Sequence, residues 1–518
     1  MELSSNNVVV VCDVFYPKPP TRIPVTYTKD TTFRALKQNV AQITKFDETK
    51  FILVTPGSTE EPNQDVTVSE LSKGASKLVL NLKRGTDAQY EFIDHTTQKK
   101  IEPASSNPTT TNPTTSNKKS QACSICLEEV PVETLGNSLC CKSCIADYLH
   151  AEFFVKRKSF LEIKYPSGGG SFTLDEFRQY ARPDTLERFE IIMQTIPENP
   201  KDPNLTIQDF GYDFNEQGLL RHVKTGEKFH WVNQVHYDLL GDLIIPYIQK
   251  RMVSDFGMQE VLLPVTEKER KGIPEHCRNN IFITKDVYEN KNKLMLLIQG
   301  SGAVRAGQWA RALCINDSLE TGSIFNYLQR AIQAGYSVVV FNPNLNYATK
   351  EPLVRPDRSD FFKPGKPVIP DPPRMKIPGS ETPPDHTVYV WDHIASKSPA
   401  KEIVIVAHSA GGWCTLSLLN SRKKEVLPRL KAIAFTDAVS SVTPRDAAQV
   451  RDFLKNNCIN WVQSRDPLDT PQPNVGGCIC VSSGHEKHEY TSASAINSVF
   501  KFLEAKTTQV ASQTNNNN

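Results

Sequence analysis

Residues 403–412 read IVIVAHSAGG, an apolar run that ends at a serine between small residues. The run is typical of a buried strand, and the segment GGWCTLSLLN that follows it has helix character. A serine at such a strand-to-helix turn can project its hydroxyl from the edge of a sheet, provided that small residues flank it. Ala407 and Gly411 meet that steric condition, so Ser409 is a candidate nucleophile.

Segments of strand and helix character alternate around this turn. In order they are LMLLIQG, IFNYLQRAIQAG, YSVVVFNPN, TVYVWDHIASKS, EIVIVAH, GGWCTLSLLN and LKAIAFTD. Alternation of this kind predicts a mostly parallel sheet with helices on both faces, here over residues 207–506. At its start, GYDFNEQGLLRHVKTGEKFHW predicts a hairpin with turns at Gln217-Gly218 and Thr225-Gly226, followed by a helix that ends near Ile248.

A serine nucleophile of this type needs a histidine base and an acid, in the chain order serine, acid, histidine. His488 follows the last strand-like segment, GCICVSS, and is the predicted base, with His485 as a weaker candidate. Asp466, directly after NWVQS, is the predicted acid. Asp469 and Asp437 are the alternatives.

A second loop could stabilise an oxyanion. Residues 300–302 read GSG after the strand LMLLIQG, and a glycine-rich loop there can present backbone N–H groups beside that of the residue after the nucleophile. The predicted donors are the N–H groups of Ser301, Gly302 and Ala410. In lipases a histidine usually opens this loop, and Gln299 stands there instead.

Prolines mark an insertion within this region. Residues 343–384 contain 11 of the 35 prolines of the chain, which predicts a stiff segment without regular structure. It follows a sheet strand, so we expect it to overhang the carboxyl ends of the strands as a lid or docking arm.

Composition excludes several function classes. The 518 residues carry a formal net charge of only +2, so no global field directs the chain to nucleic acid or to anionic membrane. The first residues, MELSSNN, have neither a basic flank nor an apolar segment, so a secretory signal is not expected, and no apolar run is long enough to span a membrane. Twelve cysteines without such a signal indicate reduced thiols or metal ligands, in the nucleus or the cytoplasm. Residues 98–120 and 507–518 are predicted to be a disordered linker and tail.

Residues 6–86 form the first predicted domain. The strand-like segments VVVVCDVFY and IPVTYT precede an amphipathic helix, TTFRALKQNVAQIT, and KFILVTP and KLVLNLK follow it. This order resembles the ubiquitin-like β-grasp family. An unrelated small α+β domain is the alternative. Only Gly85 follows Arg84 before the chain continues, so conjugation through this end is not expected.

Four cysteines after the linker have the spacing of a zinc site. Cys123 and Cys126 form one C-x2-C pair, Cys141 and Cys144 form another, and 14 residues separate the pairs. Each pair can direct two thiolates at one tetrahedral ion, so we predict one structural zinc. Cys140 is a spare thiol.

Residues 121–200 resemble the first RING of the RING-between-RING ubiquitin ligases, through CSICLEE, CKSCIADYL and IKYPSGGGSFTLDEFRQY. The family binds two zinc ions, but here Tyr165 stands where the family has a cysteine, and only the first site keeps its ligands. Ile125, Leu127 and Pro166 match positions that contact the ubiquitin-conjugating enzyme in the family. The resemblance implies a degenerate, single-zinc module for structure or docking, and ligase activity is not expected.

Residues 207–506 resemble the Argonaute-binding α/β-hydrolase-like family, in particular its animal branch of cotranscriptional regulators. The resemblance lies in LRHVKTGEKF, GSGAVRAGQWAR, YVWDH, VAHSAGG, FTDAV, NWVQS, PLDT and SSGHEKHEYTS. It implies a binding protein of small-RNA-directed silencing or cotranscriptional regulation, with Argonaute, splicing or chromatin proteins as partners.

Two other functions remain open. The ordered triad residues predict a serine esterase or deacylase, and the N-terminal modules would suit a ubiquitin-pathway adaptor. Arg305, Trp309 and Arg311 in GAVRAGQWAR are candidate ligand contacts with an alternative structural role.

Overall fold

A computed structural model describes residues 6–12, 21–27, 31–44, 51–54, 65–67, 77–84, 120–351, 355–363, 373–439, 442–474 and 476–508. The chain divides into two compact units, Met1–Ser120 and Gln121–Asn518, and each is described by itself. Nearly all of the predicted linker (98–120) and tail (507–518) lies outside the described residues. Among the described helices, none has the length and apolar character needed to cross a membrane.

The smaller unit contains a mixed sheet and one helix in its described residues. Its elements are β1 (Asn6–Cys12), β2 (Thr21–Tyr27), α1 (Phe33–Thr44), β3 (Phe51–Val54) and β4 (Lys77–Arg84). The strand order is β2-β1-β4-β3, with β1 antiparallel to β2 and parallel to β4. These elements lie where the sequence predicted them. The ubiquitin-like assignment of this small α+β unit stays a prediction.

The larger unit begins with the cysteine-rich segment and continues into the sheet domain. Its strands are β5 (Ser120–Ala122), β6 (Glu129–Pro131), β7 (Glu133–Leu135), β8 (Ser138–Cys140), β9 (Tyr212–Phe214), β10 (Leu220–His222), β11 (Gln259–Leu263), β12 (Asn279–Ile283), β13 (Lys293–Ile298), β14 (Tyr336–Val340), β15 (Tyr347–Thr349), β16 (Arg374–Lys376), β17 (Glu402–His408), β18 (Leu430–Thr436), β19 (Cys458–Val462), β20 (Pro471–Gln472) and β21 (Ile479–Ser482).

Helices of the larger unit follow the order that the sequence predicted around Ser409. They are α2 (Lys142–Leu149), α3 (Leu174–Tyr180), α4 (Pro183–Gln194), α5 (Gln234–Phe256), α6 (Glu267–Arg270), α7 (Arg311–Asn316), α8 (Leu319–Gly322), α9 (Phe325–Gln333), α10 (Pro383–His393), α11 (Gly411–Val426), α12 (Ala448–Asn457), α13 (Thr491–Ser494) and α14 (Ile496–Thr508). The predicted hairpin is β9 paired with β10.

The main sheet has an α/β-hydrolase-like arrangement. Within the described residues its nine strands lie in the order β11-β12-β14-β13-β17-β18-β19-β21-β20. Neighbours from β14 to β21 run parallel, whereas β11, β12 and β20 pair antiparallel at the two edges. The carboxyl ends of the parallel strands therefore share one edge. The segments that follow β13, β14, β17, β18, β19 and β21 all leave the sheet there.

One predicted boundary is wrong: α5 does not end near Ile248 but continues to Phe256. Pro246 lies inside the helix without ending it. The helix stops at Gly257, whose φ of +64° is a left-handed conformation that glycine adopts without steric cost.

The predicted boundary between residues 200 and 207 lies within a continuous apolar core. A single cluster of buried side chains extends from Cys123 to Leu503 and includes residues of the cysteine-rich segment and of the sheet. Phe153, for example, packs its ring 5.0 Å from that of His230. Residues 121–200 and the sheet domain therefore pack as parts of one unit, and their treatment as separate domains stays a proposal.

The proline-rich insertion contains regular structure, which corrects the expectation that its prolines forbid it. Within its described residues, β15 pairs antiparallel with β16, and Arg358–Phe362 forms a 3-10 helix that buries Phe361. The side-chain amide of Asn233 donates to the carbonyls of Asp360 (3.0 Å) and Lys363 (3.1 Å) at the start of α5. Much of the insertion is thus fixed to the body of the domain.

Candidate functional site

Ser409 occupies the turn between β17 and α11. Its φ is +51°, a left-handed value that few residues other than glycine adopt. Main-chain bonds hold this conformation. The Ser409 N–H donates to the Thr436 carbonyl (3.2 Å), and the Ser409 carbonyl accepts from the N–H groups of Gly412 (3.0 Å) and Val439 (2.9 Å). The strand-to-helix turn that the sequence predicted at this serine is present, with the strained backbone that exposes a nucleophile.

Two glycines let neighbouring elements approach the serine. A Cβ atom on Gly300 would lie 2.7 Å from the Cβ of Ser409, and one on Gly411 would lie 2.6 Å from the carbonyl oxygen of Ile298. Both distances are shorter than carbon atoms tolerate. The glycine-rich loop after β13 is therefore in contact with the serine turn, and a larger residue at either glycine would force them apart.

Free backbone donors surround Ser409. Within the part of the chain that the structure describes, the N–H groups of Ser301, Gly302 and Ala410 donate to no acceptor. Gly302 has a φ of +112°, which favours glycine, and both loop residues are exposed. The three N–H groups are available to an oxygen atom of a ligand, as an oxyanion site requires.

A carboxylate holds His488 in place. The Nδ1 atom of His488 lies 2.6 Å from Oδ2 of Asp437, and the hydrogen bond to this carboxylate raises the pKa of His488 above its usual value. Asp437 is mostly buried and has a φ of +49°; its N–H donates to the carbonyl of Trp461 (2.8 Å). An acid that fixes the imidazole through Nδ1 leaves Nε2 to act as a base.

We predict Asp466 as the acid from the sequence. In the structure the carboxylate beside His488 is that of Asp437. Asp466 is exposed and accepts from the side chains of Ser464 (3.1 Å) and Gln472 (2.7 Å). Asp469, the other alternative, accepts from the indole of Trp461 (2.8 Å). Strand β19 ends one strand farther from Ser409 than β18, so the loop after β18 is the nearer source of an acid.

His485 stays a weaker candidate for the base. Its ring stacks on Tyr490 at 4.2 Å, and its Nδ1 accepts the N–H of Lys487 (3.0 Å). No hydrogen bond to a carboxylate is present at this histidine among the described residues.

His408, which sequence reasoning missed, lies beneath the site. It is almost fully buried, its Nδ1 is 2.8 Å from the carbonyl oxygen of Thr436, and its ring centroid is 4.7 Å from that of His488. Burial, followed by the nearby charge of His488, lowers the pKa of His408 to about 4. A neutral imidazole therefore packs against the ring of His488. Its position at the end of a buried strand was the signal in the sequence.

Ser409 itself has a free hydroxyl. No hydrogen bond of its Oγ occurs within the described residues, so the Ser409–His488 contact needed for attack is not made in this conformation. Such contacts often tighten only when substrate binds. A strained serine, an imidazole held by a carboxylate and free N–H donors together constitute the parts of a serine acyl-transfer site.

Asn344, also missed, fixes the glycine-rich loop. Its side-chain amide donates to the carbonyl of Gly300 (2.6 Å) and more weakly to that of Val304 (3.4 Å). In a trans peptide the carbonyl and the following N–H point in opposite directions, so this bond also orients the N–H of Ser301. Gln299, at the start of the loop, is buried and does not line the open site.

Arg311 and Trp309, two of the candidate ligand contacts in GAVRAGQWAR, make contacts within the domain. Arg311 donates to Asp238 (2.8 Å) and lies over the ring of Tyr237. Trp309 is buried against Tyr327, with ring centroids 5.2 Å apart. The contacts of Arg311 and Trp309 therefore fit a structural role, which was the alternative to a ligand contact.

The predicted zinc ligands do come together. The sulfur atoms of Cys123, Cys126, Cys141 and Cys144 lie within 4.8 Å of one another. Burial would raise the pKa of Cys123, but backbone N–H groups, including those of Cys141 (3.3 Å) and Ile125 (3.4 Å), lower it to about 6. Four close thiols with N–H donors on a sulfur fit the chemistry of a zinc-thiolate centre, and this cluster could hold a metal ion. Cys140 is not part of the cluster.

Tyr165 is packed closely by two glycines. A Cβ on Gly136 or on Gly170 would lie 2.8 Å from its ring, so both glycines pack directly on the tyrosine. Its hydroxyl donates to the carboxylate of Glu176 (2.9 Å). Among the described residues no second group of metal-ligating side chains occurs, and an aromatic ring closes this loop instead.

Comparison with known proteins places the sheet domain in a family. Residues 204–468 match the Arb2 domain. The chain is 42% identical over 312 residues to the cotranscriptional regulator ARB2A homolog of Dictyostelium discoideum, covering 58% of this chain and 79% of that protein. It is 36% identical over 373 residues to the cotranscriptional regulator ARB2A of Mus musculus, covering 64% and 88%.

Among solved structures, a histone deacetylase from Saccharomyces cerevisiae overlaps 52% of this chain and 98% of its own, with a TM-score of 0.34 and 12% identity. The family assignment rests on the sequence matches, which span the sheet domain and most of each relative. The chain belongs to the Arb2 domain family.

Proposed function

We propose that this protein is a regulatory binding protein that acts in cotranscriptional gene control in the nucleus. The observation that carries the proposal is the identity of 42% and 36% with proteins named cotranscriptional regulators, over most of their length. Shared sequence over a whole domain supports a shared role more strongly than a shared fold does. A cytoplasmic pool of the protein is compatible with the same role.

The partner we propose is an Argonaute protein, which would link the domain to small-RNA-directed silencing. The resemblance of the sheet domain to Argonaute-binding proteins supports this choice over splicing or chromatin proteins. The insertion supplies a surface: Tyr347 lies in its hairpin, is 47% exposed and follows the carboxyl end of β14. Because the insertion is fixed to α5, its removal would damage the fold, and a point substitution is the cleaner test.

The test is co-purification of the tagged full chain with Argonaute from nuclear extract, with and without ribonuclease. We expect Argonaute to be retained after ribonuclease, and Tyr347→Asp to reduce the retained amount at least about fivefold. Tyr288→Asp is the matched control, because Tyr288 is equally exposed but precedes β13 at the opposite edge of the sheet. Absence of Argonaute together with recovery of splicing proteins would contradict the choice of partner.

A second function is favoured by one contact, the 2.6 Å bond between His488 and Asp437. We propose that the site is a serine hydrolase for an ester, thioester or amide. His488 would take the proton of Ser409 as the hydroxyl attacks the carbonyl carbon. The N–H groups of Ser301, Gly302 and Ala410 would receive the oxyanion.

Labelling with a fluorophosphonate probe tests this second function, because the probe needs only an activated serine. We expect labelling of the wild type that disappears in Ser409→Ala and falls by at least about a hundredfold in His488→Ala. Folded wild-type protein that takes no label would exclude hydrolysis and leave the regulatory role untouched.

We also propose that the four-cysteine cluster holds one structural zinc. The tetrathiolate donor set and its N–H donors support this choice, since zinc prefers four thiolates at about 2.3 Å in structural sites. The ion would tie the loop between β5 and β6 to the start of α2, which Cys141 caps. Its role would be folding rather than chemistry.

A further inference from the structure

Two exposed apolar side chains lie next to the serine turn. Trp413 is 52% exposed and Val439 is 65% exposed. A single exposed apolar residue is ordinary, but apolar side chains beside a functional site are a feature of ligand recognition.

Both residues are tied to Ser409 through the main chain. The carbonyl of Ser409 accepts the N–H of Val439 (2.9 Å) and the N–H of Gly412 (3.0 Å), the residue before Trp413. Trp413 therefore lies in the first turn of α11, and Val439 in the loop after β18. The backbones of both are within a residue of a hydrogen bond to the serine.

The geometry of acyl transfer leaves one direction for the acyl group. A carbonyl carbon attacked by Ser409 Oγ carries three other substituents. The oxygen turns to the N–H groups of Ser301, Gly302 and Ala410, and the leaving group lies beside His488, which must protonate it. The remaining substituent is the acyl chain, and Trp413 and Val439 are exposed apolar side chains that the described part of the chain places beside the serine turn.

We propose that the Ser409 site takes esters or thioesters of apolar carboxylic acids longer than acetate, whose acyl chain contacts Trp413 and Val439. The inference rests on the proposed hydrolase function and names its substrate class. Asp437, two residues before Val439, is paired with His488, so this pair is not available to bind an ionised acyl tail.

The reaction balances without a further reagent. Ser409 Oγ forms a bond to the carbonyl carbon, the bond from that carbon to the alcohol or thiol breaks, and the serine proton passes through His488 to the leaving group. Water then attacks the acyl-serine, gives its proton to His488 and restores Ser409 as the carboxylic acid departs.

Hydrolysis of p-nitrophenyl acetate, butyrate and octanoate by the full chain tests the proposal, with fluorophosphonate labelling as a parallel readout. We expect kcat/KM for octanoate to exceed that for acetate by roughly tenfold to a hundredfold, since methylene groups that leave water add to binding in the transition state. We expect Trp413→Ala and Val439→Asp each to lower the octanoate-to-acetate ratio by at least about fivefold. Tyr288→Ala is the control, because this ring, 47% exposed against 52% for Trp413, lies at the opposite edge of the sheet and should leave the ratio as in the wild type.

The possible outcomes distinguish failure of the proposed substrate class from failure of the proposed hydrolase function. Hydrolysis that depends on Ser409 but shows no preference for longer chains overturns the substrate class and leaves the hydrolase standing. A preference that persists in both Trp413→Ala and Val439→Asp also overturns it, because the acyl chain would then bind elsewhere. If no ester is cleaved and no probe reacts, the hydrolase function fails, and the substrate class fails with it.

Discussion

Ser409 and Asp437 share an unusual backbone conformation at the ends of neighbouring parallel strands. Both have positive φ, +51° and +49°, which costs on the order of 1–3 kcal/mol for a residue that is not glycine. Each is held by an N–H bond to the next strand along the sheet, Ser409 to Thr436 and Asp437 to Trp461. The fold therefore stores strain at the proposed nucleophile and at its acid, as functional sites often do.

The pairing of His488 with Asp437 predicts which acid matters. We expect Asp437→Asn to lower the rate of fluorophosphonate labelling by about 10³- to 10⁴-fold, because the imidazole loses the carboxylate that fixes its tautomer. Asp466→Asn is the matched control and should keep the wild-type rate, since Asp466 contacts only Ser464 and Gln472 through its carboxylate among the described residues. The reverse ranking of the two variants would show that the loop after β19 supplies the acid.

The raised pKa of His488 predicts a pH dependence. The base must be neutral to accept the serine proton, so labelling should increase with pH through a midpoint above the usual histidine value of about 6.5. Asp437 has the largest effect, Glu489 adds to it, and the buried neighbour His408 stays neutral because its pKa is about 4. In Asp437→Asn the midpoint should shift to lower pH. A rate that is flat between pH 5.5 and 9 would rule out His488 as the base.

At this scale the sequence ranked Asp466 before Asp437 as the acid, whereas Asp437 is the carboxylate bonded to His488 in the structure. Asp437 and Asp466 both follow strand-like segments, so linear order alone does not distinguish them. The distinction depends on which strand lies next to β17, and that follows from sheet order, which periodicity does not encode. Asn344 and His408 make contacts between segments that are far apart in the chain. Their positions at the site could not be predicted from the sequence for the same reason.

At the scale of elements, the cysteine cluster depends on two short turns. Cys123 and Cys126 lie between β5 and β6, and Cys141 and Cys144 lie at the start of α2. The C-x2-C spacing was sufficient to predict this grouping, because each pair of thiols sits on one turn. The spacing gave no sign of the contact in which Gly136 and Gly170 pack on the ring of Tyr165.

Metal content tests the cluster. We expect one zinc per chain by elemental analysis, and we expect Cys144→Ser to lose it and to lower the melting temperature, since zinc binding contributes directly to folding. Cys140→Ala is the matched control. This neighbouring thiol is buried, which raises its pKa to about 11, but it lies outside the cluster, so zinc should be retained. Two zinc ions per chain would mean that ligands other than these four cysteines exist.

The insertion is the element that sequence reasoning described least well. Its two ends meet at the buried His386, whose Nε2 accepts the N–H of Asn342 (2.9 Å) and whose Nδ1 lies 3.0 Å from the hydroxyl of Ser380. The neighbouring Asn279 donates to the carbonyls of Asn342 and Leu345. A buried polar network thus fixes the base of a proline-rich segment, and proline content alone gave no sign of it.

At the scale of the whole larger unit, one core serves both the cysteine-rich segment and the sheet. The hydroxyl of Ser159 bonds the carbonyl of Val232, Arg188 pairs with Glu227, and Thr195 lies 3.2 Å from Nε2 of His236. The sequence predicted a boundary between residues 200 and 207, because the two resemblances end and begin there. The contacts that cross this boundary join helices to the region of the β9–β10 hairpin and to α5. Such long-range contacts cannot be predicted from local sequence patterns.

Truncation tests whether this unit is indivisible. A chain that starts at residue 121 keeps the whole buried cluster, so we expect it to melt at the temperature of the sheet domain in the full chain. A chain that starts at residue 204, where the family match begins, loses Phe153, Phe160 and Phe189 from that cluster. Removing buried aromatic side chains costs about 3–5 kcal/mol each in single substitutions, a large part of the stability of an ordinary domain. We therefore expect the shorter chain to aggregate or to melt at least about 10 °C lower by circular dichroism. Equal melting temperatures for the two chains would mean that residues 121–200 are a separate module after all.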